Sequence, residues 1–427
     1  MTKAIDTDLC VLGAGPAAVQ VAAAAAALGA RTVLVAPGES APWRPAGLRA
    51  LVEAGRAAAA ARDAAGFGIR VGEPAADWAG VRRHIDRTLE AARAAEAPAR
   101  LAALGVESLA GPGRFIGADR IEAAGRRVRA RRFVVVPPVA APSGWDVLAA
   151  LPALPRRLAV HGGGPEAVAL AQALGRLGVQ VALDATGGLL PGFDPELASV
   201  VERRLAAEGI DRDAAMDWPV LAMPDLRPGL DDLGLAEAGI AWSLTEGIVT
   251  GNGVRTTNRR VWALPSAAAL HPTAAAAQVL KSALLRLPGR RPPPLALAVT
   301  DPELAQVGLD EGAARRRGDK FRLLRWPFAD VEQAQAERRP DGLVKVVVDR
   351  WGRVLGAGIA GPRAAELIAP WVVAVARRLP AAALAEAAPP SPSLADCNRL
   401  AAASVFAPLL LSGRLQAWVR LMLRLGR

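Results

Sequence analysis

Two glycine clusters are the residues best placed to do chemistry. Gly13-Ala14-Gly15-Pro16-Ala17-Ala18 follows the apolar run Thr7–Leu12, and Gly162-Gly163-Gly164-Pro165-Glu166-Ala167 follows Leu158–Val160. Where such a turn opens a helix, its backbone can approach a phosphate closely, and the positive end of the helix dipole favours the anion. Gly13, Gly15, Pro16 and Ala18 are the candidate binding residues of the first turn. Gly162, Gly164 and Ala167 are those of the second. Asp184 ends the strand that follows, where a carboxylate takes the ribose hydroxyls of a dinucleotide and favours NAD over NADP.

Both clusters sit in the context such turns require. The first runs strand, turn and an alanine-rich helix to about Leu28, a stop at Gly29, then a second strand at Arg31–Val35. The second runs strand, turn, helix Val168–Leu177 and strand Val179–Leu183. One such turn is weak evidence, whereas two in βαβ units predict two Rossmann-like dinucleotide-binding domains. Between them, Trp78–Ala94 has the period of a long helix, and Gly105–Val136 reads as short strands turning at Gly111, Gly117 and Gly125. Leu343–Val348, a turn at Asp349–Gly352 and Val354–Ile359 predict a hairpin, followed by a helix from Pro362 to Arg378.

Other chemistry is sparse. The chain has 427 residues, enough for two or three buried cores, and 52% are hydrophobic, which excludes a mainly disordered protein. The net charge of +11 comes with arginines scattered along the chain. The densest run, Arg126–Arg132, alternates as a solvated strand face does, and the interleaved aromatics of a nucleic-acid surface are missing, so no nucleic-acid partner is expected. Two cysteines, Cys10 and Cys397, give no disulfide framework and suit a reducing cytoplasm. The first residues carry no signal-peptide pattern, and the apolar runs Val21–Leu28 and Pro370–Ala376 are too short to span a bilayer. His84, His161 and His271 are far apart and share no ligand spacing with a cysteine or carboxylate, so no metal site is expected.

Taken together with Arg255–Asn258 through Trp262, Thr300–Leu309 and Gly342–Gly361, these motifs resemble the pyridine nucleotide–disulfide oxidoreductases, and most closely the branch around mercuric reductase and dihydrolipoamide dehydrogenase. The resemblance covers nearly the whole chain. It implies an α/β fold with an FAD-type domain at residues 1–142, a trimmed NAD-type domain at 143–248, a return to the FAD-type domain at 249–293, an α+β dimerisation domain at 294–411 and a tail at 412–427. It implies FAD and NAD as cofactors and a homodimer completed by the C-terminal domain.

The family's reactive groups map onto unreactive residues. Its redox cysteines fall at Ser40 and Pro45, neither of which forms a thiolate, and its lysine near the flavin falls at Arg49. The carboxylate that binds the adenosine ribose falls at Ala36, and the Gly-Asp that holds the ribityl chain falls at Pro265-Ser266. Val136-Pro137-Pro138 and Ala222-Met223-Pro224 stand where the family has Ala-Thr-Gly turns, and Ala169 stands where it has a glutamate near the nicotinamide. Between Ile210 and Trp218 there is too little chain for the family's third strand and meander. The acid–base His and Glu fall at Ser391 and Asp396, so no catalytic residue is assigned.

Ser412–Arg427 is amphipathic at helical spacing. Leu415, Trp418, Val419 and Met422 share one side, with Arg420, Arg424 and Arg427 on the other. This pattern suits peripheral contact with a membrane surface as well as packing on protein. The expected function is that of an FAD-dependent NAD(P)H oxidoreductase scaffold without dithiol chemistry. The alternative is a catalytically inactive homodimeric binding or regulatory relative that does not hold FAD.

Overall fold

The structure is a computed structural model that describes residues 4–36, 45–94, 97–137, 143–210, 218–223, 229–243, 247–251, 254–264, 272–288, 293–318 and 320–425. Ser40, Pro138, Pro224, Pro265, Ser266, His271 and the stretch 211–217, all singled out in the sequence, lie outside the described residues. The chain divides into two compact units. One gathers residues 1–51, 76–154 and 221–292, and the other 52–75, 155–220 and 293–427.

The first unit is built on a seven-stranded sheet. Strand Ile5–Leu12 is flanked by parallel partners, Thr32–Ala36 on one side and Arg126–Val135 on the other. Val106–Ala110 extends the sheet in parallel beyond Thr32–Ala36. The long strand Arg126–Val135 pairs antiparallel with Arg120–Ala123 through its first half and parallel with Val261–Ala263 through its second. Buried parallel strands need apolar side chains on both faces, and Leu9, Cys10, Val11 and Leu12 are all sealed from solvent. Helix Pro16–Ala27 turns Ala18, Val21, Ala22 and Ala25 toward Ala275, Ala276, Val279 and Ala283 of helix Pro272–Ala283, and the small side chains let the two helices approach closely.

The chain rejoins this unit over residues 221–292. The cause is apolar burial: Leu230, Leu233, Leu235, Ala238 and Ile240 fill the core on one face of the sheet with Phe115, Ile121 and Phe133.

In the second unit, Arg157–His161 and Gln180–Asp184 pair in parallel around helix Pro165–Arg176. A separate five-stranded sheet runs in the order Leu295–Ala298, Glu303–Gly308, Val354–Gly361, Leu343–Asp349, Phe321–Pro327, antiparallel throughout. Trp371 is fully buried behind it, its Nε1–H donating to Asn398 Oδ1 at 2.7 Å. The single helix expected over Pro362–Arg378 is two, Ala364–Leu367 and Ala369–Arg377. Pro370 opens the second, because its missing N–H is tolerated only in a first turn. A parallel βαβ unit beside an antiparallel sheet with helices behind it is the α/β plus α+β arrangement expected.

Candidate functional site

The first turn uses its small residues for separate tasks. Gly13 lies at φ 135°, and its N–H donates to Val35 O at 2.9 Å. A Cβ there would collide with the carbonyl oxygen of Val136, so this glycine is required by the sheet itself. Gly15 lies at φ 89° and caps the helix without a side chain, and a Cβ on it would meet nothing within 4 Å among the described residues. That open space lies at the helix N-terminus, where the first N–H groups have no acceptor within the helix. Pro16 takes the first helical position and Ala18 is fully buried. The turn therefore fits a dinucleotide pyrophosphate at Gly15. The sugars fare worse, since Ala36 closes its strand half-buried and offers no carboxylate to a ribose.

The second turn is more closed. Gly162 lies at φ 138° with its N–H donating to Asp184 O at 2.9 Å. A Cβ on Gly163 would strike the carbonyl of Gly188, and Leu190 N–H donates to Gly163 O at 2.8 Å, so the loop after Asp184 folds back onto the turn. Gly164 caps the helix at φ −69°, a conformation open to any residue, and is buried, as is Ala167. Asp184 stands at its strand end as expected, but His161 Nδ1 lies 2.8 Å from its Oδ2. The two close adjacent parallel strands at the same register, a pairing that sequence reading missed. Ala169 is 1% exposed and brings no carboxylate.

Both thiols are sealed. Cys10 is fully buried in its strand and burial pushes its thiol far up. Cys397 is fully buried in helix Asp396–Ala403, and burial pushes its thiol up to about 12. They belong to different hydrophobic clusters, Cys10 with Leu12 and Phe133, Cys397 with Trp371 and Ala401. Arg49 is exposed on helix Pro45–Asp63.

At the far end of the chain Ser391 Oγ–H donates to Asp396 Oδ2 at 3.0 Å, and Ser393 N–H donates to the same oxygen at 3.1 Å. Two positions singled out in the sequence are thus brought together, as a serine hydroxyl on a carboxylate. Among the described residues no cluster of His, Cys, Asp and Glu is arranged to hold a metal ion.

Two family sequence models match the chain. Pyridine nucleotide-disulphide oxidoreductase matches residues 145–214, and the dimerisation domain of the same family matches residues 295–402. The chain belongs to the pyridine nucleotide-disulphide oxidoreductase family. Dihydrolipoyl dehydrogenase of Thermus scotoductus is 27% identical over 91% of this chain and 95% of its own length. The alignment with the same enzyme of Geobacillus stearothermophilus, 28% identical, spans 51% of this chain and 53% of that one. Mercuric reductase of Staphylococcus aureus is 24% identical over 93% of this chain and 82% of its own length. Among solved structures, LpdA from Mycobacterium tuberculosis superposes with a TM-score of 0.82 at 23% identity, covering 93% of this chain and 99% of that one. The flavoprotein disulfide reductase RclA from Escherichia coli superposes at 0.73 with 19% identity, over 92% of this chain and 98% of its own. The family is FAD-dependent and binds NAD(P), and the chain carries its dimerisation domain.

Proposed function

We propose that this chain is a dithiol-free member of its family, a flavin- and NAD-type dinucleotide scaffold that does not reduce disulfides, lipoamide or mercuric ion through a cysteine pair. The observation that carries this reading is the burial of Cys10 and Cys397, the only cysteines of the chain, in separate cores with their thiols held neutral. A thiolate is the nucleophile of dithiol exchange, and a sealed thiol pushed up to about 12 supplies none at neutral pH. Ser391 in place of a proton-exchanging ring supports the same conclusion.

FAD, when bound, supplies hydride acceptance from a nicotinamide. This chain's own contribution would be Gly15 and the helix N-terminus against the pyrophosphate, with Gly13 and Ala18 holding turn and helix in place. Asp184, with His161 beside it, would meet the ribose of a nicotinamide dinucleotide. The dimerisation domain supports a homodimer.

A second reading has its own support. Ala36 removes one carboxylate anchor and the sequence at Pro265-Ser266 removes another, which favours a homodimeric binding or regulatory relative that holds no FAD. Adding FAD to the purified protein and dialysing separates the two. Retained flavin bands that bleach with NADH support the first reading, and a colourless protein leaves the second.

A further inference from the structure

We infer that helix Gly413–Leu425 is a docking element for an anionic lipid surface, lying along the surface rather than across it. The helix buries none of its residues. Trp418, Leu421, Met422, Leu423 and Leu425 are all exposed, as are Leu409, Leu410 and Leu411 just before it, with Leu411 77% exposed. At helical spacing the apolar residues share one broad face, while Gln416, Arg420 and Arg424 share the other. An apolar stripe this continuous, opposite an arginine-lined face, needs a partner that is apolar and anionic together.

Charge decides which partner. From Cys397 to Arg427 the sequence holds Arg399, Arg414, Arg420, Arg424 and Arg427 and not one Asp or Glu. Two copies of the helix packed on each other would set arginine against arginine, whereas phospholipid headgroups supply the missing anions. The hairpin turn beside the root of this segment adds to the same field. Trp351 is exposed there, with the Arg350 guanidinium 3.9 Å from its ring centroid and that of Arg353 at 5.7 Å. Arg322 Nη1–H donates to Val405 O at 3.4 Å, which ties the turn's neighbourhood to the start of the segment. The helix also lies outside residues 295–402, the part matched by the family's dimerisation domain.

Length sets the orientation. Thirteen residues at about 1.5 Å each reach roughly 20 Å, short of a hydrocarbon core of about 30 Å. The preceding helical stretch, bent from it by 79°, cannot complete a span, because Asp396, Cys397, Asn398, Ala401 and Ala402 are buried in the protein core.

The test is flotation of the full-length protein with vesicles of phosphatidylcholine alone and of phosphatidylcholine mixed with phosphatidylglycerol. The expected result is binding to the mixed vesicles only, weakened by salt, and weakened at least about tenfold by Arg420→Glu with Arg424→Glu. Trp418→Asp with Leu421→Asp abolishes it while leaving the circular dichroism spectrum and the oligomeric state unchanged, since both side chains are exposed. Failure of the full-length protein to bind either vesicle overturns the inference, as does equal binding with and without residues 413–427. Loss of the dimer on deleting those residues also overturns it, and assigns the face to the partner subunit.

Discussion

Gly13 and Gly15 stand two positions apart in one turn and answer to different constraints. The first has no room for a Cβ because the Val136 carbonyl fills the space, and the second has room because none of the described residues is there. Gly13→Ala therefore strains the sheet and is expected to destabilise the fold by about 3 kcal/mol. Gly15→Ala meets no clash but takes on a backbone conformation that essentially only glycine adopts, at about 1–3 kcal/mol, and it places a methyl where a pyrophosphate would lie. Thermal unfolding and FAD uptake measured on both variants check this: the fold suffers in the first, flavin binding in the second. Equal effects on uptake at equal stability would remove the distinction. The thiols make a separate prediction, that a thiol reagent labels no cysteine in the native protein and both after unfolding. At this scale the sequence was readable where a residue's identity settles its conformation, as with Gly13 and Gly15 in the turn before a helix. It was not readable where a neighbour decides, as with His161 against Asp184, which depends on two strands ending at the same register.

Among the elements, the antiparallel sheet is joined to helix Pro195–Ala207 by a buried ion cluster. Lys345 Nζ lies 2.8 Å from carboxylate oxygens of Asp194, Glu196 and Glu311, and is almost sealed from solvent. Desolvation alone would lower the lysine's pKa, but the three carboxylates outweigh it and hold the ammonium protonated. The hydrogen bond from Lys345, followed by that from Arg315, holds Glu311 down to about 2. Burial pushes Glu196 up, but its bonds to Arg325 and Lys345 outweigh that and leave it below the ordinary value. A depressed carboxylate stabilises the folded state fully above its ordinary value of 4.5, and that contribution is lost as the pH falls through about 2. Acid unfolding of the wild type should therefore steepen across that window. Lys345→Met removes the ammonium that the three carboxylates share and leaves Glu196 and Glu311 with Arg325 and Arg315 alone, so the same loss should begin at higher pH, with stability at neutral pH lowered by about 3–5 kcal/mol. Superimposable acid titrations of the two proteins would show that the cluster contributes nothing.

The elements also show why a glycine pattern alone is not a binding turn. Gly356-Ala357-Gly358-Ile359-Ala360-Gly361 has the spacing of a dinucleotide turn, yet it lies within a strand. There Gly358 sits under Leu197, Gly361 under Phe328 and Gly356 against the Leu309 carbonyl, so the glycines serve close packing. The first two clusters were legible because a helix follows each, and this one was separable because its strand continues.

At the scale of the molecule, the mixed α/β fold with its C-terminal dimerisation domain was legible because helices and strands each carry their own hydrophobic period. The core contributed between Leu230 and Ile240 was not, since its scattered leucines find common packing only in the folded chain. The dimerisation domain predicts a homodimer in solution, and light scattering at micromolar concentration should give twice the chain mass. A monomer there would leave the domain without its partner. The most direct test of a dithiol-free flavin scaffold is a visible spectrum recorded while the FAD-loaded protein is reduced stepwise without oxygen. The account predicts that reduction is complete when the flavin alone has been filled, with no long-wavelength thiolate–flavin band at any point. Uptake of a second pair of electrons per flavin, accompanied by that band, would show a working dithiol and contradict it.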